Sequence, residues 1–188
     1  MTDSRGPIAA QSAFKSAFRP SALTFSDFMA ALGGVYEHSP WVAEALWPDA
    51  PSKAFDTPGA LAKAMRAAVN AAPKDQRLEL IRAHPELAGK AAIAGEMADA
   101  SKREQAGAGL DQCSPEEYQA FQDLNGAYNE KFGFPFIIAV KGLGRAEILD
   151  AFRARLDNAP EAEFDEAIAQ IHRIAGFRIE ALFAPSPA

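Results

Sequence analysis

Phe132-Gly133-Phe134-Pro135-Phe136-Ile137-Ile138-Ala139-Val140 is the one apolar run of this chain that reads as β. Aromatic and branched side chains favour an extended backbone. A strand, however, needs a neighbour for its N–H and C=O groups, and no second segment carries the same signal. The run therefore predicts an extended, buried connector and not a sheet. The fold class then follows from what flanks it.

Everything around the connector carries helix signals. Ser114-Pro115-Glu116-Glu117 is a capping box with proline at the first helical position, followed by Tyr118, Phe121, Leu124 and Tyr128 on one stripe. After the connector, Lys141-Gly142-Leu143-Gly144-Arg145 reads as a turn that matches no phosphate-binding loop. Two helices follow it, marked by Ile148, Leu149, Phe152 and Leu156, then by Phe164, Ile168, Ile171, Ala175 and Leu182. Upstream, Thr24 or Ser26 caps a helix carrying Phe28, Leu32 and Val35, and Ser39-Pro40 starts another with Trp41, Ala45 and Leu46 on one face. Thr57-Pro58 opens a third, through Leu61, Met65 and Val69 to about Ala72. Pro73 leads into Leu78, Leu80 and Ile81, ending at His84. From Pro85 an alanine-rich helix continues, with breaks near Gly95 and after Gln105. These signals predict an all-α, single-domain bundle of roughly eight helices over residues 23–184, with tails at 1–22 and 185–188.

Composition narrows the function classes. The 188 residues are 48% apolar, enough for a sizeable core, yet no run approaches the ~20 residues that span a bilayer. A net charge of -6 argues against nucleic acid, since neutralising phosphates takes a basic surface. The single cysteine, Cys113, excludes an internal disulfide and reads as an inert thiol beside a loop. No HExxH, HxH or Cys/His spacing supports a metal site. The first twenty or so residues are Ser/Ala-rich, with Arg5, Lys15 and Arg19 against Asp3, and read as a flexible tail of a cytoplasmic protein.

Three places carry candidate chemistry. In Arg82-Ala83-His84-Pro85-Glu86-Leu87-Ala88-Gly89-Lys90, proline pushes His84 out of the helical region and is suited to open the next helix. An imidazole at such a joint can lean into a cleft, and it titrates nearest neutral pH. Ser101, Glu104 and Gln105 stand at i, i+3 and i+4, so a hydroxyl, a carboxylate and an amide share one face. Arg178 lies among the apolar positions of the last helix, where a guanidinium must find an anion. Each also has a plain structural reading: a helix cap, a solvated helix end and an internal salt bridge. Of the other histidines, His172 is expected on the surface, about 100° off the core stripe, and His38 at a helix corner where capping explains it.

Taken together, His84-Pro-Glu-Leu-Ala-Gly89, Ser101-x-x-Glu104-Gln105-x-Gly-x-Gly-Leu110 and Phe132-Gly-Phe-Pro-Phe-Ile-Ile-Ala-Val-Lys-Gly142 make the chain closely resemble the OHCU decarboxylases. That family converts 2-oxo-4-hydroxy-4-carboxy-5-ureidoimidazoline to (S)-allantoin in urate breakdown. The resemblance runs from about Thr24 to Leu182 and includes Glu37-His-Ser-Pro-Trp41. It implies an all-α, cofactor-free enzyme acting on a small molecule, with many members dimeric. It places the catalytic histidine on His84, the Ser/Glu/Gln site residues on Ser101, Glu104 and Gln105, and the site arginine on Arg178. His84 and Glu104 are then expected to move protons. Pro85, Ser101, Gln105, Phe136, Ile138 and Arg178 are expected to hold the substrate. Two other functions stay open at this point: a non-enzymatic helical module binding a purine catabolite, and an enzyme acting on a related ureide.

Overall fold

The computed structural model describes residues 18–89 and 98–185, in which the helix signals become eight α-helices. These are α1 (Phe25–Leu32), α2 (Trp41–Glu44), α3 (Pro58–Ala71), α4 (Lys74–Arg82), α5 (Asp99–Gly107), α6 (Pro115–Phe132), α7 (Arg145–Arg155) and α8 (Pro160–Phe183). Short 3-10 turns lie at Pro20–Ala22, Trp47–Ser52 and Leu110–Gln112. The expected break near Gly95, and the expected tails up to residue 17 and from 186 on, lie outside the described residues. Packing reaches back to Phe18, whose ring meets Phe183 edge-on at 4.9 Å, and Ser21 bonds the Asp56 carboxylate.

Helix ends sit where their caps dictate. The Thr57 hydroxyl accepts from the Ala60 N–H at 3.3 Å, and Pro58 follows it at the first helical position. Leu61, Met65 and Val69, one turn apart on α3, are fully buried, each contributing about 1.5–3 kcal/mol by leaving water. Ser114 and Glu117 form the reciprocal box that starts α6, and Gly133 ends it with φ +74°, a conformation that costs a residue with a Cβ strain. The 24 residues of α8 make a rod about 36 Å long that packs against α3, α4 and α6. Among the described residues, no helix is long and apolar enough to cross a membrane.

The connector after Gly133 is extended and buried, and no strand pairs with it among the described residues. Side chains take over the work of a neighbouring strand. Arg155 donates to the Ile137 carbonyl at 2.6 Å, and the Gln170 side-chain oxygen accepts from the Ala139 N–H at 3.0 Å. Phe136 stacks on Phe152 with centroids 3.9 Å apart and lies under the Arg155 guanidinium. That arginine is in turn fixed by the fully buried Glu163, which also takes the Tyr128 hydroxyl and the Asn158 amide.

Two expectations are corrected. Pro85 does not open a helix. Residues 85–89 form a turn with Ala88 in the left-handed region at φ +49°. Three amides hold that turn: Gln105 accepts from Ala88 N–H, Gln122 donates to Ala88 O, and Asn125 donates to Leu87 O. Backbone groups that a helix would have paired with itself are satisfied from α5 and α6 instead. His172 is not on the surface but buried on α8, between the Tyr36 hydroxyl (2.8 Å) and the Asn70 amide oxygen (3.1 Å). Two polar partners make burial tolerable for a ring next to the apolar stripe.

Candidate active site

The turn after α4, one face of α5, the connector and the C-terminal half of α8 enclose a cavity of about 310 Å³. His84, Pro85, Ser101, Glu104, Gln105, Phe136, Ile138 and Arg178 all line it. All eight site positions named from the sequence therefore meet at one wall or another, although they span 95 positions of chain. The remaining wall is mostly apolar, with Ile174 and Phe177 from α8 and Lys141 lying 4.5 Å over the Phe177 ring.

His84 sits just past the end of α4 with its Nδ1 2.9 Å from the Leu80 carbonyl, one turn back. A carbonyl only accepts, so Nδ1 carries the hydrogen and Nε2 is left with a lone pair. No protein donor among the described residues claims it. Burial pushes the imidazole pKa down to about 4. The Leu80 bond and the Glu37 charge oppose the shift, and Arg178 and His38 add to it. At neutral pH the ring is uncharged and faces the cavity as a base.

Gln105, on the face of α5 shared with Ser101 and Glu104, ties the turn to this helix. Its oxygen takes the Ala88 N–H at 3.1 Å and its nitrogen donates to the Glu86 carbonyl at 3.2 Å. Its other amide hydrogen has no acceptor among the described residues and is left for a ligand.

Arg178 forms the most connected group of the site. Its Nε and Nη2 grip the two oxygens of Glu104, each at 2.8 Å. Nη1 donates to Glu37 Oε2 at 2.8 Å and to the Val35 carbonyl at 3.3 Å, and Nη2 also reaches Ser101 Oγ at 3.1 Å. Each of the five guanidinium hydrogens thus has a protein acceptor. Burial disfavours the charge, but the Glu104 and Glu37 carboxylates outweigh it and hold the guanidinium above its usual pKa. The two carboxylates differ in access: the Glu37 side chain is 1% exposed and the Glu104 side chain 31%.

Glu37 is the member of this group that spacing did not single out as a site residue. The available signal was a lone acid after the apolar pair Val35-Tyr36, at a point where the chain turns between α1 and α2. His38 is exposed at that corner with φ +46°, and Cys113 is a free, part-buried thiol whose Sγ meets the Leu110 carbonyl. Burial raises the Cys113 pKa, as befits an unreactive thiol.

Comparison with known proteins points the same way. The family model described as OHCU decarboxylase matches residues 21–180. A 2-oxo-4-hydroxy-4-carboxy-5-ureidoimidazoline decarboxylase of Halalkalicoccus jeotgali is 43% identical over 158 residues, covering 84% of this chain and 86% of that protein. A crystal structure of (S)-allantoin synthase superposes with a TM-score of 0.70 at 38% identity, over 89% of this chain and 54% of that one, so this chain spans about half its length. A crystal structure of OHCU decarboxylase in the presence of (S)-allantoin superposes with a TM-score of 0.65 at 25% identity, over 81% and 97% of the two chains. With a family match across most of its length and relatives this similar, the chain belongs to the OHCU decarboxylase family.

Proposed function

We propose that this chain decarboxylates 2-oxo-4-hydroxy-4-carboxy-5-ureidoimidazoline to (S)-allantoin. The observation that carries the reading is a neutral imidazole, His84, whose Nε2 no donor among the described residues claims, in a small cavity shared with a guanidinium held between two carboxylates. In this substrate the carboxylate and a hydroxyl sit on one ring carbon, and the next ring carbon is a C=N carbon bearing the ureido group. When the bond to the carboxylate breaks, its electron pair forms a C=C between the two ring carbons and the C=N pair moves to nitrogen, which takes a proton. The enol then gives up its hydroxyl proton as that oxygen becomes a carbonyl, and the ureido-bearing carbon gains a proton on one face. In sum CO2 leaves and one proton replaces it.

His84 Nε2 is the group suited to take the hydroxyl proton. General acid–base help of this kind is worth ~10²–10⁴-fold in rate. Because all five Arg178 hydrogens already have acceptors, a substrate anion reaches this cation by exchanging with Glu104, the more exposed of its two carboxylates. The released Glu104 carboxylate then stands in the cavity as the second proton carrier. Ser101 and Gln105, with Pro85, Phe136 and Ile138 as apolar walls, orient the ring. The resemblance also brings a homodimer into the proposal, and sedimentation of the intact chain at the dimer mass is the expected result.

The test uses freshly generated hydroxyisourate passed through its hydrolase, followed by circular dichroism. The (S)-allantoin signal is expected to appear with this protein and not without it. The spontaneous reaction yields racemate, so a trace in which no (S)-allantoin signal develops contradicts the assignment and favours either a binding module or a different ureide substrate.

A further inference from the structure

Glu37 lies behind the cavity and does not line it, yet its Oε2 is the point at which two lining residues meet. The Ser101 hydroxyl donates to it at 2.9 Å and Arg178 Nη1 donates to it at 2.8 Å. We propose that Glu37 is a positioning residue that fixes the hydrogen-bond polarity of the site: it turns Ser101 into an acceptor toward the ligand and confines exchange at Arg178 to the Glu104 edge. The proposal rests on the decarboxylase reading given above.

A serine hydroxyl has one hydrogen, and here it points at Glu37. Arg178 Nη2 takes up one of the oxygen lone pairs, so what Ser101 has left for a ligand is a single lone pair. A ring or ureido N–H fits opposite it, whereas a carbonyl or carboxylate oxygen is repelled. The substrate orientation that places N–H at Ser101 sends its carboxylate elsewhere, and the open edge of the guanidinium is the one now held by Glu104. Without Glu37 the hydroxyl could rotate and offer its hydrogen to the ligand, reversing the preference.

The anchoring of Glu37 suits that task. It is 1% exposed, and the adjacent Tyr36 is tied to α8 through His172 and onward to Asn70 of α3. Its second oxygen, Oε1, is buried without a donor among the described residues. A buried carboxylate with one oxygen unpaired gives little return in stability, which makes a role in the site the better account of its presence.

The experiment measures kcat and KM for (S)-allantoin formation with the intact wild-type chain, Glu37→Gln, Ser101→Ala and the double variant, with a thermal melt of each. Glu37→Gln is expected to keep a cooperative melt and lose about tenfold to a hundredfold in kcat/KM, the scale of one hydrogen bond to a charged group. Because Glu37 acts partly through Ser101, its replacement is expected to do at least about threefold less damage in the Ser101→Ala background than in wild type. Equal factors in the two backgrounds, the mark of a merely structural role, overturn the proposal. So does a Glu37→Gln rate within about twofold of wild type. If that variant does not melt cooperatively, Glu37→Asp replaces it, with the same expected loss and the same overturning result. An inactive wild-type chain removes the decarboxylase reading and this proposal with it, while an active wild type beside an indifferent Glu37→Gln removes this proposal alone.

Discussion

His84 owes its role to neighbours that are remote in sequence. Its residue type and the following proline are plain in the chain, but its charge state depends on burial and on Glu37, His38 and Arg178. With the free-enzyme pKa pushed down to about 4, the acidic limb of kcat/KM is expected near pH 4 and not near the ordinary histidine value of 6.5. A pH–rate profile with its acidic limb at 6.5 contradicts the buried, neutral imidazole. Arg178 gives a second residue-scale prediction. A lysine at this position keeps the charge but cannot bridge Glu37, Glu104 and Ser101 with one ammonium group. Arg178→Lys is therefore expected to lose at least about tenfold in kcat/KM, and a rate equal to wild type shows that the fork geometry is immaterial. That Arg178 needs an anion was readable from its place in an apolar helix. That it has two, with different access, was not, because one comes from the turn after α1 and the other from α5.

At the scale of elements, local signals read well and long-range ones did not. The Ser114 box, the Thr57 cap and the apolar spacing of α8 act within a few residues, and each stands where the sequence puts it. The extended connector was legible too, since a lone β-like run has nothing to pair with. Its supports were not, for Arg155 and Gln170 reach it from the two helices that follow, with Glu163 holding Arg155 from behind. The sequence reads the turn after His84 as a helix because Gln105, Gln122 and Asn125, which hold it open, lie at least 17 residues away. The connector makes a testable element. Arg155→Met leaves the fully buried Glu163 carboxylate without its cation and frees the Ile137 carbonyl. Urea unfolding is expected to show a loss of about 3–5 kcal/mol, the range for breaking one side of a buried pair. A loss below about 1 kcal/mol, the worth of a surface pair, contradicts the strut.

Across the whole molecule, two buried histidines make the fold sensitive to acid. His84 and His172 both have pKa values pushed down to about 4 by burial, against 6.5 in the ordinary state. Above pH 6.5 neither ring is charged in either state, so they contribute no slope. Below it the unfolded chain takes up protons that the native rings refuse, so stability falls as pH drops toward 4 and levels off beneath that. Thermal melts are expected to follow this course, with His172→Gln removing about half of the histidine slope. An unchanged slope in that variant contradicts a neutral His172 in the fold. Helical angle alone misplaces His172, since its partners on α3 and before α2 are set by packing. The same fold that keeps the two rings uncharged aims one of them into the cavity. The most direct measurement is the circular dichroism time course of freshly formed 2-oxo-4-hydroxy-4-carboxy-5-ureidoimidazoline with wild type and His84→Asn side by side. Rapid (S)-allantoin is expected from wild type, and a loss of at least ~10²-fold from a variant that still melts cooperatively. A folded His84→Asn protein that makes (S)-allantoin at the wild-type rate contradicts a proton-moving role for His84.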